Sequence, residues 1–141
     1  MNLEVLKVPN YEDIQIGDKA SFTKTVSESD VYQFAGITGD FNPIHINSEY
    51  ANQTMFKERI AHGILTTGFI STVIGTKLPG PDTIYLSQKV DFKAPVKIGD
   101  TVTAEVEVLE KKDRKKIIRL RTIVKNQLDE IVVDGEAVVM K

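Results

Sequence analysis

There is no cysteine in the 141 residues. That excludes disulfides, thiolate nucleophiles and cysteine metal ligands, and it suits a reducing, cytoplasmic setting. Histidine is scarce. The chain has 2, His45 and His62, far apart in sequence and in no Cys/His cluster of metal-ligand spacing, so a zinc site is not expected. Charge of one sign is missing too. Lys and Arg number 18 against 20 Asp and Glu, a net charge of −2, which gives no pull toward nucleic acid or an anionic membrane. No apolar run approaches the ~20 residues of a membrane span. Met1 to Pro9 lacks a basic start followed by an apolar core, so no signal peptide is expected. There is no P-loop, no GxGxxG and no Ser-His-Asp order, which sets aside NTP use, dinucleotide binding and triad hydrolysis. Repeats, low-complexity tracts and linker-like shifts are absent as well.

What is present suits one globular domain over residues 1–141, with 41% hydrophobic and 27% charged residues. Roughly two-thirds of the unfolded surface can be buried at this length, enough for one core without staples. Tyr11 to Asp18 is a turn-rich lead-in, and Ser21 to Val26 alternates as a short strand. Ser27 and Asp30 sit at capping-box spacing, and Val31, Phe34, Ala35 and Thr38 follow at helical spacing. A second short helix is expected over Ser48 to Thr54. Gly63 to Thr76 carries no charge, which predicts a buried helix ~20 Å long. Along it Gly63, Thr67, Ser71 and Gly75 form a ridge of small residues. Leu78-Pro79-Gly80-Pro81 ends it. Thr83 to Phe92, Thr101 to Leu109, Ile117 to Val124 and Ile131 to Met140 read as strands, with Val102, Ala104, Val106 and Val108 inward. An antiparallel sheet wrapped around one buried helix, an α+β arrangement, is the packing these elements allow.

The chemistry-bearing stretch is Phe34 to His45. It sets a carboxylate, Asp40, five positions before an imidazole, His45. Pro43 forbids one continuous helix, Asn42 is pushed toward extended backbone, and Gly39 relaxes the chain ahead of Asp40. In a straight strand the two side chains would point to opposite faces. A Gly/Pro-punctuated bend would let them converge on one small target, such as a water. The plainer alternative is a tight turn with an Asx cap beside an ordinary histidine.

Phe34-Ala35-Gly36-Ile37-Thr38-Gly39-Asp40-Phe41-Asn42-Pro43-Ile44-His45, followed by Ala51, resembles the signature of the MaoC-like (R)-specific enoyl-CoA hydratases, the hydratase-2 group of hot-dog-fold proteins. Ala61-His62-Gly63, Leu78-Pro79-Gly80, Ile84-Tyr85-Leu86 and Phe92-Lys93-Ala94-Pro95-Val96 with Gly99-Asp100 extend the resemblance over nearly the whole chain. It implies Asp40 and His45 as the catalytic pair, the backbone amide of Gly63 as the donor to the thioester oxygen, and Ser71 and Asn42 in support. It implies an acyl-CoA substrate, no metal or redox cofactor, and a homodimer or dimer-based higher oligomer. The same chemistry on an acyl-carrier protein, a non-catalytic acyl-CoA-binding protein and a thioesterase are the rivals.

Each residue also has a structural alternative. Gly63 at a helix start fits an enolate acceptor, because free amides and the positive dipole end point outward there, but also a packing glycine. Ser71 fits a positioning residue or a filler of a small slot. His62 reads as structural rather than as an acid. Lys89, Lys93, Lys97 and the Lys111–Lys116 run could meet CoA phosphates, or form a solvated strand edge and hairpin.

Overall fold

The computed structural model describes residues 8–141. Most of the Met1–Pro9 stretch, read above for leader character, lies outside the described residues. Among the described residues a 3-10 turn, Tyr11–Asp13, precedes β1 (Lys19–Thr25) and α1 (Glu28–Thr38). Two short helices follow, α2 (Pro43–Ile46) and α3 (Ser48–Asn52), then α4 (Gly63–Thr76). The strands β2 (Ile84–Phe92), β3 (Thr101–Lys112), β4 (Ile117–Lys125) and β5 (Ile131–Met140) complete the chain. All pairings are antiparallel, in the order β1-β3-β4-β5-β2. The expected α+β hot-dog arrangement is present: α4 packs against β1, β3 and β4.

The capping box forms as the spacing predicts. Ser27 Oγ accepts from the Asp30 N–H at 3.0 Å, and Asp30 Oδ2 accepts from the Ser27 N–H at 3.0 Å. Period-2 alternation sets the inner face of the sheet. Val102, Ala104, Val106 and Val108 are all buried, and Leu120, Val124, Val132 and Val139 face the same core. From α4 come Phe69, Ile70, Val73 and Ile74, spaced three and four apart as one helix face requires.

The expectation of a wholly buried helix is corrected here. Ile64 is 59% exposed, and Gly68, Ser71 and Gly75 also face outward. A charge-free helix betrays apolar surroundings but not whether its own chain supplies them all. The charged connection is also shorter than expected. Lys111 and Lys112 still belong to β3, and Lys111 turns inward, its ammonium donating to the carbonyls of Tyr11 and Ile14 at 2.9 and 2.5 Å. It ties down the lead-in.

Candidate active site

Three chain ends meet at the site. The first is the C-terminus of α1, where Gly39 takes a left-handed conformation (φ 80°) and its N–H caps the Ala35 carbonyl. A side chain other than glycine is disfavoured there. The chain then passes Asp40 and restarts as α2. Pro43 stands at the first helical position, where its missing N–H would have had no partner. Asn42 caps this turn, its Oδ1 accepting from the Ile44 N–H at 3.3 Å. The predicted bend is therefore real, and its second half is itself helical. Asp40 is held by its own turn: Oδ1 accepts from the Asn42 N–H at 3.2 Å, and its N–H donates to Thr38 Oγ1 at 3.2 Å. The carboxylate stays exposed.

His45 rides on α2 and is buried. Its Nδ1–H donates to the Ile60 carbonyl at 2.7 Å. A carbonyl can only accept, so the proton sits on Nδ1 and Nε2 keeps its lone pair in the neutral ring. Burial pushes the imidazole below its ordinary pKa. The Ile60 hydrogen bond and the Asp40 charge pull the other way, while the neighbouring His62 adds to the lowering.

The third element is the start of α4. His62 is its N-cap residue, buried, and Gly63 is its first helical residue. The amide of a first helical residue has no partner within the helix. Gly63 lines an apolar cavity of about 430 Å³ together with His45, Phe56, Ile60, Phe92 and Val133. Thr66, one turn on, also opens onto it, and its buried hydroxyl has no partner among the described residues.

The donor atoms of Asp40, His45 and His62 lie within 4.8 Å of one another. The two histidines, set apart in the sequence reading, are in fact in contact: their rings stack with centroids 3.8 Å apart, tilted by 30°. That proximity makes the trio a formal set of metal donors. The stack fits a metal poorly. Lone pairs in near-parallel rings do not converge, and zinc wants its nitrogens ~2.0–2.1 Å from one centre.

Asp40, His45 and Gly63 are thus brought to one place, with Asn42 capping the helix that carries His45. Ser71 is not. It lies eight residues beyond Gly63, about 12 Å along the helix at 1.5 Å per residue, on the exposed face. Within one chain it does not orient the Asp40 carboxylate. Of the lysines, Lys93 lines the cavity. Lys97 pairs with Glu58 at 3.7 Å, and Lys89 borders a separate polar hollow with Asp134 and Glu136. Sequence reasoning missed Thr66, Phe56 and Phe92 as lining residues. The sequence held one faint trace of Thr66, a hydroxyl one turn after Gly63, with Thr67 beside it equally eligible.

Comparison with known proteins agrees with this architecture. The chain is 51% identical over 140 residues to an (R)-specific enoyl-CoA hydratase of Rhodospirillum rubrum, covering 99% of this chain and 96% of that protein. It is 47% identical over 137 residues to a 3-hydroxybutyryl-CoA dehydratase of Methylorubrum extorquens, covering 97% of this chain and 87% of that one. Among solved structures, the unliganded R-hydratase of Pseudomonas aeruginosa superposes with a TM-score of 0.89 at 48% identity, covering 94% of this chain and 84% of that one. Residues 13–129 match the MaoC like domain. With its signature stretch, its sheet and its relatives in accord, the chain belongs to the MaoC-like domain family.

Proposed function

We propose that this protein is an (R)-specific enoyl-CoA hydratase, adding water reversibly to trans-2-enoyl-CoA to give (R)-3-hydroxyacyl-CoA. One observation carries the reading: a carboxylate, Asp40, and the buried imidazole of His45 stand within 4.8 Å, beside an apolar cavity that the first amide of α4 also lines. A water between the two side chains loses a proton to the pair as its oxygen bonds C3, and C2 receives a proton from the same pair. General acid–base groups of this kind contribute ~10²–10⁴-fold. His45 Nε2 is the free nitrogen for this exchange, because Nδ1 is committed to Ile60. Negative charge that develops on the thioester oxygen is met by the Gly63 N–H and the positive end of α4.

The acyl chain occupies the cavity among Phe56, Ile60, Ile64 and Val133, and Lys93 at its lining is placed to meet a CoA phosphate. Protonic chemistry alone completes the reaction, so the proposal needs no metal or redox cofactor. Two copies pair through the outer edge of β2, which among the described residues bonds only to β5 and exposes Ile84, Leu86 and Phe92. No helix among the described residues is long and apolar enough to cross a membrane. A soluble, cytoplasmic enzyme acting on a CoA thioester fits these features.

The test is direct. Purified protein with crotonyl-CoA should consume the enoyl-thioester absorbance and yield the (R)-3-hydroxy product. Inert substrate, or an (S) product, would remove the proposal.

A further inference from the structure

His62 touches all three parts of the site without being one of them. Its ring lies face to face with His45, centroids 3.8 Å apart. Its Nε2–H donates to the main-chain carbonyl of Asp40 at 3.0 Å. Its backbone is the cap of α4, immediately before Gly63. Phe34 of α1 packs against the same ring at 4.6 Å. The side chain is only 2% exposed. None of its three ring contacts belongs to a bare capping role: its side chain makes no cap hydrogen bond to the helix at all.

The reading of the site above supplies the reaction on which the next step rests. We propose that His62 is a positioning residue for the hydration: its ring face fixes the plane of His45 and its Nε2–H fixes the Asp40 backbone, so that together they set the width of the water gap. The two contacts are chemically separate. One needs a flat aromatic face, the other a single N–H. Histidine in its Nε2–H tautomer supplies both, and that tautomer is dictated by the Asp40 carbonyl, which can only accept. Nδ1 then carries a lone pair with no partner among the described residues. An unpaired buried polar atom is destabilising, which a merely space-filling residue would avoid. Phenylalanine would fill the same space without it, but would lose the hold on Asp40.

His62 also bears on the charge of His45. Three groups act on that ring: His62 across the stack, Asp40 in front, and the Ile60 carbonyl at Nδ1. Of these, His62 is the one that disfavours the imidazolium. Removing it takes away the smaller of the two influences that lower the ring's pKa, burial being the larger.

The experiment uses full-length protein and two variants that split the contacts. His62→Gln keeps an amide donor and loses the ring face. His62→Phe keeps the face and loses the donor. With crotonyl-CoA, each should lower kcat by about 10- to 100-fold, the order that follows from misplacing a reacting group by an ångström, while KM changes by less than about twofold. In both, the acid limb of the kcat/KM profile should move to higher pH; in His62→Phe the ring stays covered, so the shift there reports the lost His62 influence and not lost burial. Folded variants with wild-type kcat and an unmoved limb would overturn the proposal, and if one variant fails to fold the other decides. Imidazole ¹⁵N spectra of the wild type give a readout free of activity: His62 should carry its proton on Nε2 and His45 on Nδ1. The opposite tautomer at His62 would overturn the proposal even in an active enzyme. Wild-type protein inert toward crotonyl-CoA would instead sink the hydratase reading and leave the spectra to decide the positioning contacts.

Discussion

The ring of Phe92 lies directly over the α-carbon of Gly63, so close that a β-carbon there would fall 2.6 Å from Cε1 and 2.8 Å from Cδ1. The two residues come from different layers, the start of α4 and the end of β2, and both line the cavity. Glycine is required here by approach rather than by backbone angle. Gly63→Ala keeps the amide but drives the ring aside. Phe92 is more than half exposed, so the ring has room to swing, and folding should lose only about 1 kcal/mol, the low end for overpacking. An acyl thioester bound in the cavity would meet the displaced ring, so kcat/KM should fall about 10- to 100-fold. Adding Phe92→Ala removes the clash, and the double variant should recover part of the loss. A double variant no better than the product of the two singles would show that the ring is not the cause.

Asp40→Asn and His45→Gln probe the proton handling itself. Each replacement is near-isosteric and retains hydrogen-bonding capacity, and Asp40 lies at the surface, so melting temperatures should stay close to wild type. Turnover of crotonyl-CoA should fall by about 10²–10⁴ in each. The double variant should be little worse than either single one, because the pair acts as a unit. A single variant that retains near-normal kcat would take that residue out of the chemistry.

Much of this site was legible before any coordinates, and the part that was not has a physical reason. Gly39 and Pro43 are local constraints: a left-handed cap and a first-turn proline act on their own backbone, so the bend around Asp40 follows from the residues themselves. The alternation of Val102 through Val108 is local in the same way. The stacking of His45 on His62 is not local. It depends on α2 and α4 being brought together by the sheet, and no spacing rule links positions 45 and 62. The placement of β2 at the far edge beside β5 is hidden for the same reason, since strand order is decided by which faces cover α4. Ser71 illustrates the converse. Its helical spacing from Gly63 was visible, but a shared ridge says nothing of reach, and two turns of helix carry it away from Asp40.

Acid should destabilise this fold through His45. Its pKa in the folded protein lies below the ordinary 6.5, chiefly because the ring is buried. Between those two values the unfolded chain binds a proton that the folded one refuses, so stability rises with pH across that window. As pH falls below about 6.5 the fold should weaken, and the loss should level off beneath the lowered value. Denaturant midpoints measured from pH 8 down to pH 4.5 should show this slope in the wild type and a shallower one in His45→Gln. Identical slopes would mean that His45 titrates in the folded protein as it does in the unfolded chain. The same lowering keeps Nε2 free to accept a proton into mildly acidic solution, so hydration should persist there before activity fails.

In the proposed dimer the edge of β2 would join assembly to catalysis. Among the described residues nothing pairs with its outer side, and Ile84 and Leu86 are 52% and 50% exposed. An uncovered apolar edge invites another strand, and a second copy offers the same edge, which meets itself antiparallel about a two-fold axis. Phe92 ends that strand and also lines the cavity, so whatever orders the edge orders the cavity wall. Light scattering on purified protein should therefore give at least twice the mass of the 15.7 kDa chain. Leu86→Lys places a charge where a partner strand would lie, a device that edge strands use against pairing. On an exposed position it should cost the single chain less than about 0.5 kcal/mol. The variant should run as a monomer and lose turnover, although residue 86 is not among the residues that line the cavity. A fully active monomeric variant would separate the strand edge from the site, and a wild type of monomer mass would dismiss the pairing altogether.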